Sequence, residues 1–311
     1  MLPFVLHVDQ RAEAVPTDAV AALLERTAAD DGTLALSEGK WLDLVHGGRN
    51  GFLAVTATDP AGNLVGYAQA TNGAEGWGLE VVSETPGGDR ALHTRLLKTS
   101  LEELARLGAR VHYWVTDPTD ESDAALGALG LRADRDLLQM RVDLPLPPTV
   151  RTGPPIEVRA YRPGADDAAW LATNNRAFAD HPEQGNWDLA TLRERQSEPW
   201  FDPEGFLVHE IDGELAGSCW TKIHRDTTPP MGEIYVISVD PAFHGRGLGR
   251  ALTVAGLSWL AGAGLKVGML FTTASNVPAV ELYHSLGFVD YRVQRVYVGD
   301  LGPGAPTPAL S

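Results

Sequence analysis

The sequence contains one cysteine and no long apolar segment. A single cysteine, Cys219, among 311 residues excludes an internal disulfide, is typical of a reducing compartment, and is best explained as a small apolar side chain inside a strand. The chain has no run of 18 apolar residues, and its opening MLPFVLHV carries no basic leader, so we expect neither a membrane span nor a signal peptide. These absences predict a cytoplasmic protein.

Positive charge is also scarce, because 25 basic residues stand against 41 acidic ones and give a net charge of −16. Such a surface repels nucleic acids and anionic lipids, which argues against a nucleic-acid-binding or peripheral membrane protein. A cationic or polyhydroxylated small molecule is a more compatible partner. Solubility alone would explain the same charge, and composition does not separate the two explanations.

The most informative stretch is GEIYVISVDPAFHGRGLGRAL, residues 232–252. The β-branched run 234–239 predicts a strand, Asp240-Pro241 a turn, and the residues from Arg250 onward a helix. The loop contains three glycines, Gly245, Gly247 and Gly249, which let the backbone come close to an anion. Free N–H groups and the positive end of the helix dipole would then face that anion. The absence of a following Lys-Ser/Thr excludes a Walker loop, and the spacing does not fit a dinucleotide-binding βαβ unit. The pattern therefore predicts a pyrophosphate site.

The chain is about twice as long as a typical domain, and its halves repeat one order of elements. The segment DPAGNLVGYAQA matches IDGELAGSCWTK, and LGALGLRADRDLLQMRVDL matches LYHSLGFVDYRVQRVYVGD. Between the halves lies LPLPPTVRTGPP, residues 144–155, whose five prolines predict a stiff linker. We therefore expect two α/β domains with mixed α+β sheets, residues 1–143 and 156–311, the second opening with a strand at 156–159.

The first copy lacks the glycine pattern of the second. At the corresponding position it has VVSETPGGDRAL, which places Glu84 and Asp89 near the expected phosphates. Negative charges at that point oppose anion binding. The first copy is thus predicted to be degenerate, with a structural and substrate-framing role and weak or absent cofactor binding.

A second motif follows the glycine loop, Asn276-x-x-Ala279-x-x-x-Tyr283-x-x-x-Gly287-Phe288. At helical spacing Ala279 and Tyr283 share one face, and Asn276 suits the N-cap. A core tyrosine in an ordinary helix is the alternative explanation. The glycine loop upstream favours a functional tyrosine instead.

Together, the two motifs resemble the acetyl-CoA signature of the GCN5-related N-acetyltransferase family, a V-x-P followed by Q/R-x-x-G-x-G/A. Val239, Pro241, Gly247 and Gly249 match it, whereas His244 occupies the slot usually held by Gln or Arg. The resemblance implies two tandem copies of the family's fold in a monomeric enzyme that uses acetyl-CoA as co-substrate and no metal. It also implies a set of cofactor-binding residues: Ile237, Ser238, Val239, His244, Gly245, Arg246, Gly247, Leu248, Gly249, Arg250, Asn276, Ala279 and Glu281.

Acetyl transfer to an amine requires a base for the ammonium group, donors that stabilise the oxyanion, and an acid for the departing thiolate. By the resemblance, Glu233 at the start of the strand is the base, directly or through water, and Tyr283 is the acid. A solvated charge at a strand end is the alternative explanation for Glu233.

The second half, residues 156–298, further resembles tandem family members that acetylate the cysteinyl amine of a cysteine–glucosamine–inositol conjugate. The segments NNRAFADHPEQGNW, WTKIH and NVPAVELYHSLGF carry this resemblance. It implies substrate contacts from Glu38, Glu183, Lys222 and Glu233, while Phe271 stands where those members have a tyrosine, so that one hydroxyl contact is lost. Two alternatives stay open: acetylation of another amine, such as an aminoglycoside, or a non-catalytic CoA-binding sensor or scaffold.

Overall fold

The computed structural model of the protein describes residues 4–28, 35–47, 51–73, 75–84, 90–179 and 185–302. The chain divides into two compact units: the first combines Met1–Asp136 with Gln294–Ser311, and the second is Leu137–Val293. Within the described ranges, no helix is long and apolar enough to cross a membrane.

The first unit is a sheet with helices on both faces. Its strands run in the order β1 (Val5–Asp9), β2 (Phe52–Thr58), β3 (Leu64–Gly73), β4 (Gly76–Ser83), β5 (Arg110–Thr116) and residues 294–300 of β12 (Val289–Asp300). Neighbouring strands are antiparallel except β4 and β5. The described residues of this unit include four α-helices: α1 (Thr17–Arg26), α2 (Glu38–His46), α3 (Arg90–Arg106) and α4 (Asp120–Ala128).

Strand alternation divides the core of the first unit into two layers. On β2, Leu53 and Val55 pack in the cluster that contains the α3 and α4 side chains, while Phe52 and Ala54 pack in the cluster with α1 and α2. Ser37 caps α2 by accepting a hydrogen bond from the Lys40 backbone N–H.

The second unit has the same layered construction. Its strands run in the order β6 (Arg132–Asp143, residues 137–143), β11 (Val267–Thr273), β10 (Met231–Val239), β9 (Glu214–His224), β8 (Phe206–Ile211) and β7 (Arg159–Ala160). Only β10 and β11 are parallel among these paired strands. Its helices are α5 (Asp167–Ala177), α6 (Leu189–Gln196), α7 (Leu248–Gly262) and α8 (Val277–Ser285).

The two faces of the second unit differ in chemistry. One face is an aliphatic cluster in which Cys219 and Ile234 pack with Leu252 and Leu257 of α7. On the other face Trp220 stacks on Phe206, with ring centroids 4.5 Å apart, in an aromatic cluster. Cys219 is fully buried in β9, which confirms its expected role as a small apolar side chain. Burial raises the pKa of its thiol to about 12, so the thiol is protonated at neutral pH.

The compact units do not coincide with the two sequence halves. Residues 137–143 of β6 pair with β11 of the second unit, and residues 294–300 of β12 pair with β5 of the first. The last strand of the first sequence half thus ends in the sheet of the second unit, and the last strand of the second half ends in the sheet of the first unit. The sequence repeat identifies these two strands as equivalent, but a strand pattern does not specify which sheet edge it joins.

The proline-rich segment also departs from the expectation of a linker between domains. Residues 144–155 contain neither helix nor strand, yet they lie inside the second unit. Leu144 is buried, and Leu146 and Val150 pack against the aliphatic cluster, so apolar side chains fasten the segment to the core. The strand expected at 156–159 is reduced to Arg159–Ala160.

Candidate active site

The site is organised by an opening between the two parallel strands of the second unit. The pairing of β10 with β11 ends at Ile234↔Leu270, whereas β10 stays paired with β9 to Val239↔Gly217. A register shift between Ile234 and Val236 marks the point of divergence. After Ile234, the edge of β10 that was paired with β11 faces the opening. The peptide groups of β10 along this edge can bind an extended ligand that carries amide groups.

The glycine loop lies at the end of β10 and leads into α7. Gly245 and Gly247 both have φ of +76°, and a Cβ added at either position would meet nothing within 4 Å. Gly247 is the N-cap of α7, which begins at Leu248, two residues before the predicted start. The open space and the free N–H groups at the helix start suit a pyrophosphate. The loop therefore fits the phosphates of CoA.

A buried aspartate holds the loop in place. The Asp240 carboxylate accepts hydrogen bonds from the Ala242 backbone N–H at 2.9 Å and from the Arg176 Nε at 2.9 Å. Burial raises the pKa of Asp240, but these hydrogen bonds outweigh that effect and leave the pKa below its ordinary value. Asp240 is thus ionised at neutral pH and fixes the turn that precedes the glycines.

The basic side chains of the loop have protein partners. His244 Nε2 lies 3.0 Å from the Val239 carbonyl oxygen, so its ring ties the loop to the end of β10. Arg250 donates to the Arg151 carbonyl at 3.0 Å and to Ser285 Oγ at 2.6 Å. Arg246 lies over the Phe243 ring at 5.2 Å. Cofactor contacts from these three side chains remain predictions.

The second motif forms α8, as expected. Asn276 is its N-cap and accepts a hydrogen bond from the Ala279 backbone N–H at 3.4 Å. Glu281 is exposed. Tyr283 is 7% exposed and packs against Phe288, with ring centroids 5.6 Å apart. Burial raises the pKa of Tyr283 to about 12, which keeps the hydroxyl protonated and able to donate a proton at neutral pH.

The two predicted catalytic side chains lie on opposite faces of the sheet. Tyr283 belongs to the aliphatic cluster with Ile234. Glu233 precedes Ile234 on β10 and points to the other face, since successive strand residues alternate. The pairing of β10 with β11 ends at Ile234↔Leu270, one residue after Glu233, so Glu233 lies at the edge of the opening.

Glu233 is a buried carboxylate with specific neighbours. It is 8% exposed, and its Oε2 lies 2.8 Å from His224 Nε2. Lys222 lies directly opposite Glu233 on β9. The Lys222 ammonium sits 4.5 Å from the centre of the Trp200 ring and 5.6 Å from that of Tyr235. This burial does not fit the alternative of a solvated strand-end charge.

Two residues of this face, His224 and Trp200, are not among the site residues that the sequence predicted. The signal for His224 was the short spacing of WTKIH, which puts Lys222 and His224 on one face of a strand. Recognising its contact with Glu233 also requires the register of β9 against β10, which pairs His224 with Met231.

The remaining predicted substrate residues are less localised. Phe271 is 37% exposed and shares a face of β11 with Met269, the strand partner of Glu233. Glu38 lies in the first turn of α2 in the first unit. Glu183 lies outside the described residues. The substrate roles of all three therefore remain predictions.

The equivalent position of the first unit has lost the carboxylate. On β4, Gly78 pairs with Thr71 of β3, in the arrangement that Glu233 and Lys222 have in the second unit. The buried Lys40 ammonium occupies the space above it, 3.1 Å from where a Cβ of residue 78 would lie. Burial lowers the pKa of Lys40. This arrangement supports the predicted degeneracy of the first copy.

The comparisons with known proteins identify the family. Residues 170–288 match the model of the acetyltransferase (GNAT) family. The chain is 41% identical over 308 residues to a mycothiol acetyltransferase of Acidothermus cellulolyticus, covering 93% of each chain. It is 45% identical over 284 residues to a mycothiol acetyltransferase of Thermomonospora curvata, covering 89% of this chain and 92% of the relative.

Solved structures agree on the fold. A tandem GNAT protein from the clavulanic acid biosynthesis pathway superposes with a TM-score of 0.67 at 18% identity, covering 96% of this chain and all (100%) of that one. This likeness confirms the expected mixed α/β fold with two tandem GNAT copies. The matched length and identity of the relatives show that the chain belongs to the mycothiol acetyltransferases of the GNAT acetyltransferase family.

Proposed function

We propose that this chain transfers the acetyl group of acetyl-CoA to the cysteinyl amine of a cysteine–glucosamine–inositol conjugate, which forms mycothiol and CoA. The observation that carries the proposal is the buried Glu233 carboxylate at the mouth of the opening between β10 and β11. Relatives that share 41% and 45% identity over most of the chain bear the name mycothiol acetyltransferase.

In this proposal Glu233 removes a proton from the acceptor ammonium. A free α-ammonium has a pKa of about 8, so most of the acceptor is unreactive at neutral pH until a base acts. The carboxylate lies on the face that carries Lys222, Trp200 and Tyr235. This face is therefore the acceptor side, and its acidic group pairs with a cationic substrate.

The opposite face and the loop hold the acyl donor. The edge of β10 at Ile237, Ser238 and Val239 binds the pantetheine amides, and the glycine loop with the start of α7 binds the pyrophosphate. The bound thioester supplies the acetyl group. Tyr283, protonated at neutral pH, gives its proton to the sulfur of the departing CoA.

Recognition of the sugar part falls to polar side chains. Lys222, on the acceptor face, donates to inositol oxygens, and Glu183 and Glu38 are kept as predicted acceptors of hydrogen bonds from the conjugate. Phe271 offers no hydroxyl to the sugar. This favours the alternative in which the same catalytic residues acetylate a different amine. We infer that the first unit frames the substrate and binds cofactor weakly or not at all.

The test is an acetyl-CoA consumption assay with three acceptors, the desacetyl cysteinyl conjugate, free cysteine and glucosamine–inositol, and with an aminoglycoside in a parallel reaction. We expect kcat/KM to be highest for the conjugate by about two orders of magnitude, because the smaller acceptors lose binding energy from remote contacts. Equal rates for all three, or a higher rate with an aminoglycoside, would contradict the proposed acceptor.

A matched pair of variants tests the base. Glu233→Gln should lower kcat about a hundredfold or more with unchanged acetyl-CoA affinity, since an amide cannot accept the proton. Glu214→Gln is the control, because Glu214 is an exposed glutamate at the start of the neighbouring strand β9. A near-normal rate for Glu233→Gln would rule out the base role.

A further inference from the structure

The proposed chemistry does not use one buried contact of the site, the one between Glu233 and His224. Oε2 of the glutamate and Nε2 of the histidine are 2.8 Å apart. The two side chains are 11% and 20% exposed, so little water competes for this hydrogen bond. A carboxylate oxygen only accepts, so the bond requires a proton on Nε2 and the imidazole is the donor.

The backbone holds His224 in this position. His224 is the last residue of β9 and pairs with Met231, which lies two residues before Glu233 on β10. Thr227 Oγ1 lies 3.1 Å from the His224 carbonyl oxygen and fastens the turn that follows. The imidazole therefore reaches diagonally across the strand pair to the carboxylate, as neighbouring strand residues on one face do.

We propose that His224 is a positioning residue that fixes the Glu233 carboxylate by binding Oε2, so that Oε1 is aimed at the acceptor amine. The inference rests on the proposed role of Glu233 as base. Without the imidazole, rotation about the terminal side-chain torsion of Glu233 would spread the two oxygens over many orientations, because this torsion has broad minima. A fixed oxygen is needed for efficient proton removal.

Charged neighbours define what else acts on the carboxylate. On β9, Lys222 lies directly opposite Glu233. On β11 the neighbour is the uncharged Met269, and beyond it β6 places Arg141 on the same face, with its guanidinium over the Tyr291 ring. Lys222 and Arg141 are thus cations on this face of the sheet, and His224 forms the hydrogen bond to Oε2 of Glu233 that sets direction.

The experiment compares His224→Ala, His224→Gln and a matched control, His7→Gln. His7 lies 3.3 Å from the Asp9 carboxylate on β1 and is 75% exposed, so His7→Gln replaces a histidine beside a carboxylate away from the site. We expect His224→Ala to lower kcat about tenfold to a hundredfold with unchanged KM for acetyl-CoA, as loss of a hydrogen bond to a charged group predicts. His224→Gln keeps an N–H donor and should recover most of the rate.

The split between kcat and KM separates positioning from a merely structural role. A displaced base slows proton removal without changing how acetyl-CoA binds, so His224→Ala should lower kcat while the KM for acetyl-CoA stays the same. His224→Gln should restore most of kcat because its amide can still donate to Oε2 of Glu233. His7→Gln should leave kcat unchanged.

A double variant distinguishes this inference from the proposed function. If His224 acts through Glu233, adding His224→Ala to Glu233→Gln costs no further activity. An inactive Glu233→Gln beside a His224→Ala with normal kcat would overturn the positioning role alone. A near-normal Glu233→Gln would instead overturn the proposed base, whatever His224→Ala does. Thermal unfolding of each variant verifies that the fold is intact. If His224→Ala unfolds, His224→Gln decides the question. A fully folded His224→Gln that recovers no activity would count against positioning.

Discussion

The conformation of Gly247 offers a direct test of the cofactor loop. Gly247 is the N-cap of α7 with φ of +76°, and Gly264 follows the other end of the same helix with φ of +89°. A Cβ at either position would meet nothing within 4 Å. The two glycines thus differ in location but not in the backbone conformation that they allow.

Alanine at either position should cost a similar amount of stability. An L-residue in the left-handed region is disfavoured by about 1–2 kcal/mol. For a unit of this size, each kcal/mol lowers Tm by about 2–4 °C. Gly247→Ala and Gly264→Ala should therefore unfold at similar temperatures, both below that of the parent protein.

Only Gly247→Ala should weaken acetyl-CoA binding. Relief of the strained φ turns the loop N–H groups away from the pyrophosphate, and a lost hydrogen bond to a charged group costs about 1.5–3 kcal/mol. That loss corresponds to an increase in Kd of about tenfold to a hundredfold. Isothermal titration calorimetry on both variants measures this difference.

Two results would refute the reasoning. The first is a Gly247→Ala protein that binds acetyl-CoA as tightly as Gly264→Ala does while both lose the same stability. The second concerns stoichiometry, since the degenerate first copy predicts one equivalent of bound acetyl-CoA. Two equivalents with similar micromolar affinity would contradict that prediction.

Three further changes test the site and its support. Tyr283→Phe should lower kcat about a hundredfold or more in single-turnover assays without lowering Tm, and an unchanged kcat would exclude the acid role. Asp240→Asn should lower the free energy of unfolding by about 1–3 kcal/mol at neutral pH. Because the pKa of Asp240 in the folded protein lies below its ordinary value, this difference should shrink as pH falls through the folded pKa. A difference in urea unfolding that stays constant with pH would contradict this account. Gly256→Ala places a Cβ 2.5 Å from Cys219 Sγ and should cost about 1–3 kcal/mol. That cost should be smaller in a Cys219→Ala background, and equal costs in both backgrounds would argue against the clash.

Local features of the site could be predicted well because they depend on neighbours in the chain. The strand, glycine loop and helix of residues 232–252 appear in the expected order, and Asn276 caps α8 as expected. Turn glycines, caps and apolar periodicity act within a few residues, so the sequence carries them directly. The main local error was the start of α7, which begins at Leu248 rather than Arg250.

Features that depend on strand pairing could not be predicted. The repeat indicated that β6 and β12 are equivalent, but not that part of each joins the sheet of the other unit. The proline-rich segment looked like a linker, and only the packing of Leu146 and Val150 shows that it belongs to the second unit. Pairing and packing join residues far apart in sequence, and no local pattern records them.

By itself, the sequence determined the family, the duplicated architecture and the chemical types at the site, because motif residues and their spacing carry that information. The tertiary structure alone decided how those residues are used. It buried Glu233 beside His224, placed Tyr283 on the opposite face, and set Gly78 where the first copy would need its carboxylate. These relations arise from strand register and from the divergence of β10 and β11, which bring together side chains that are distant along the chain.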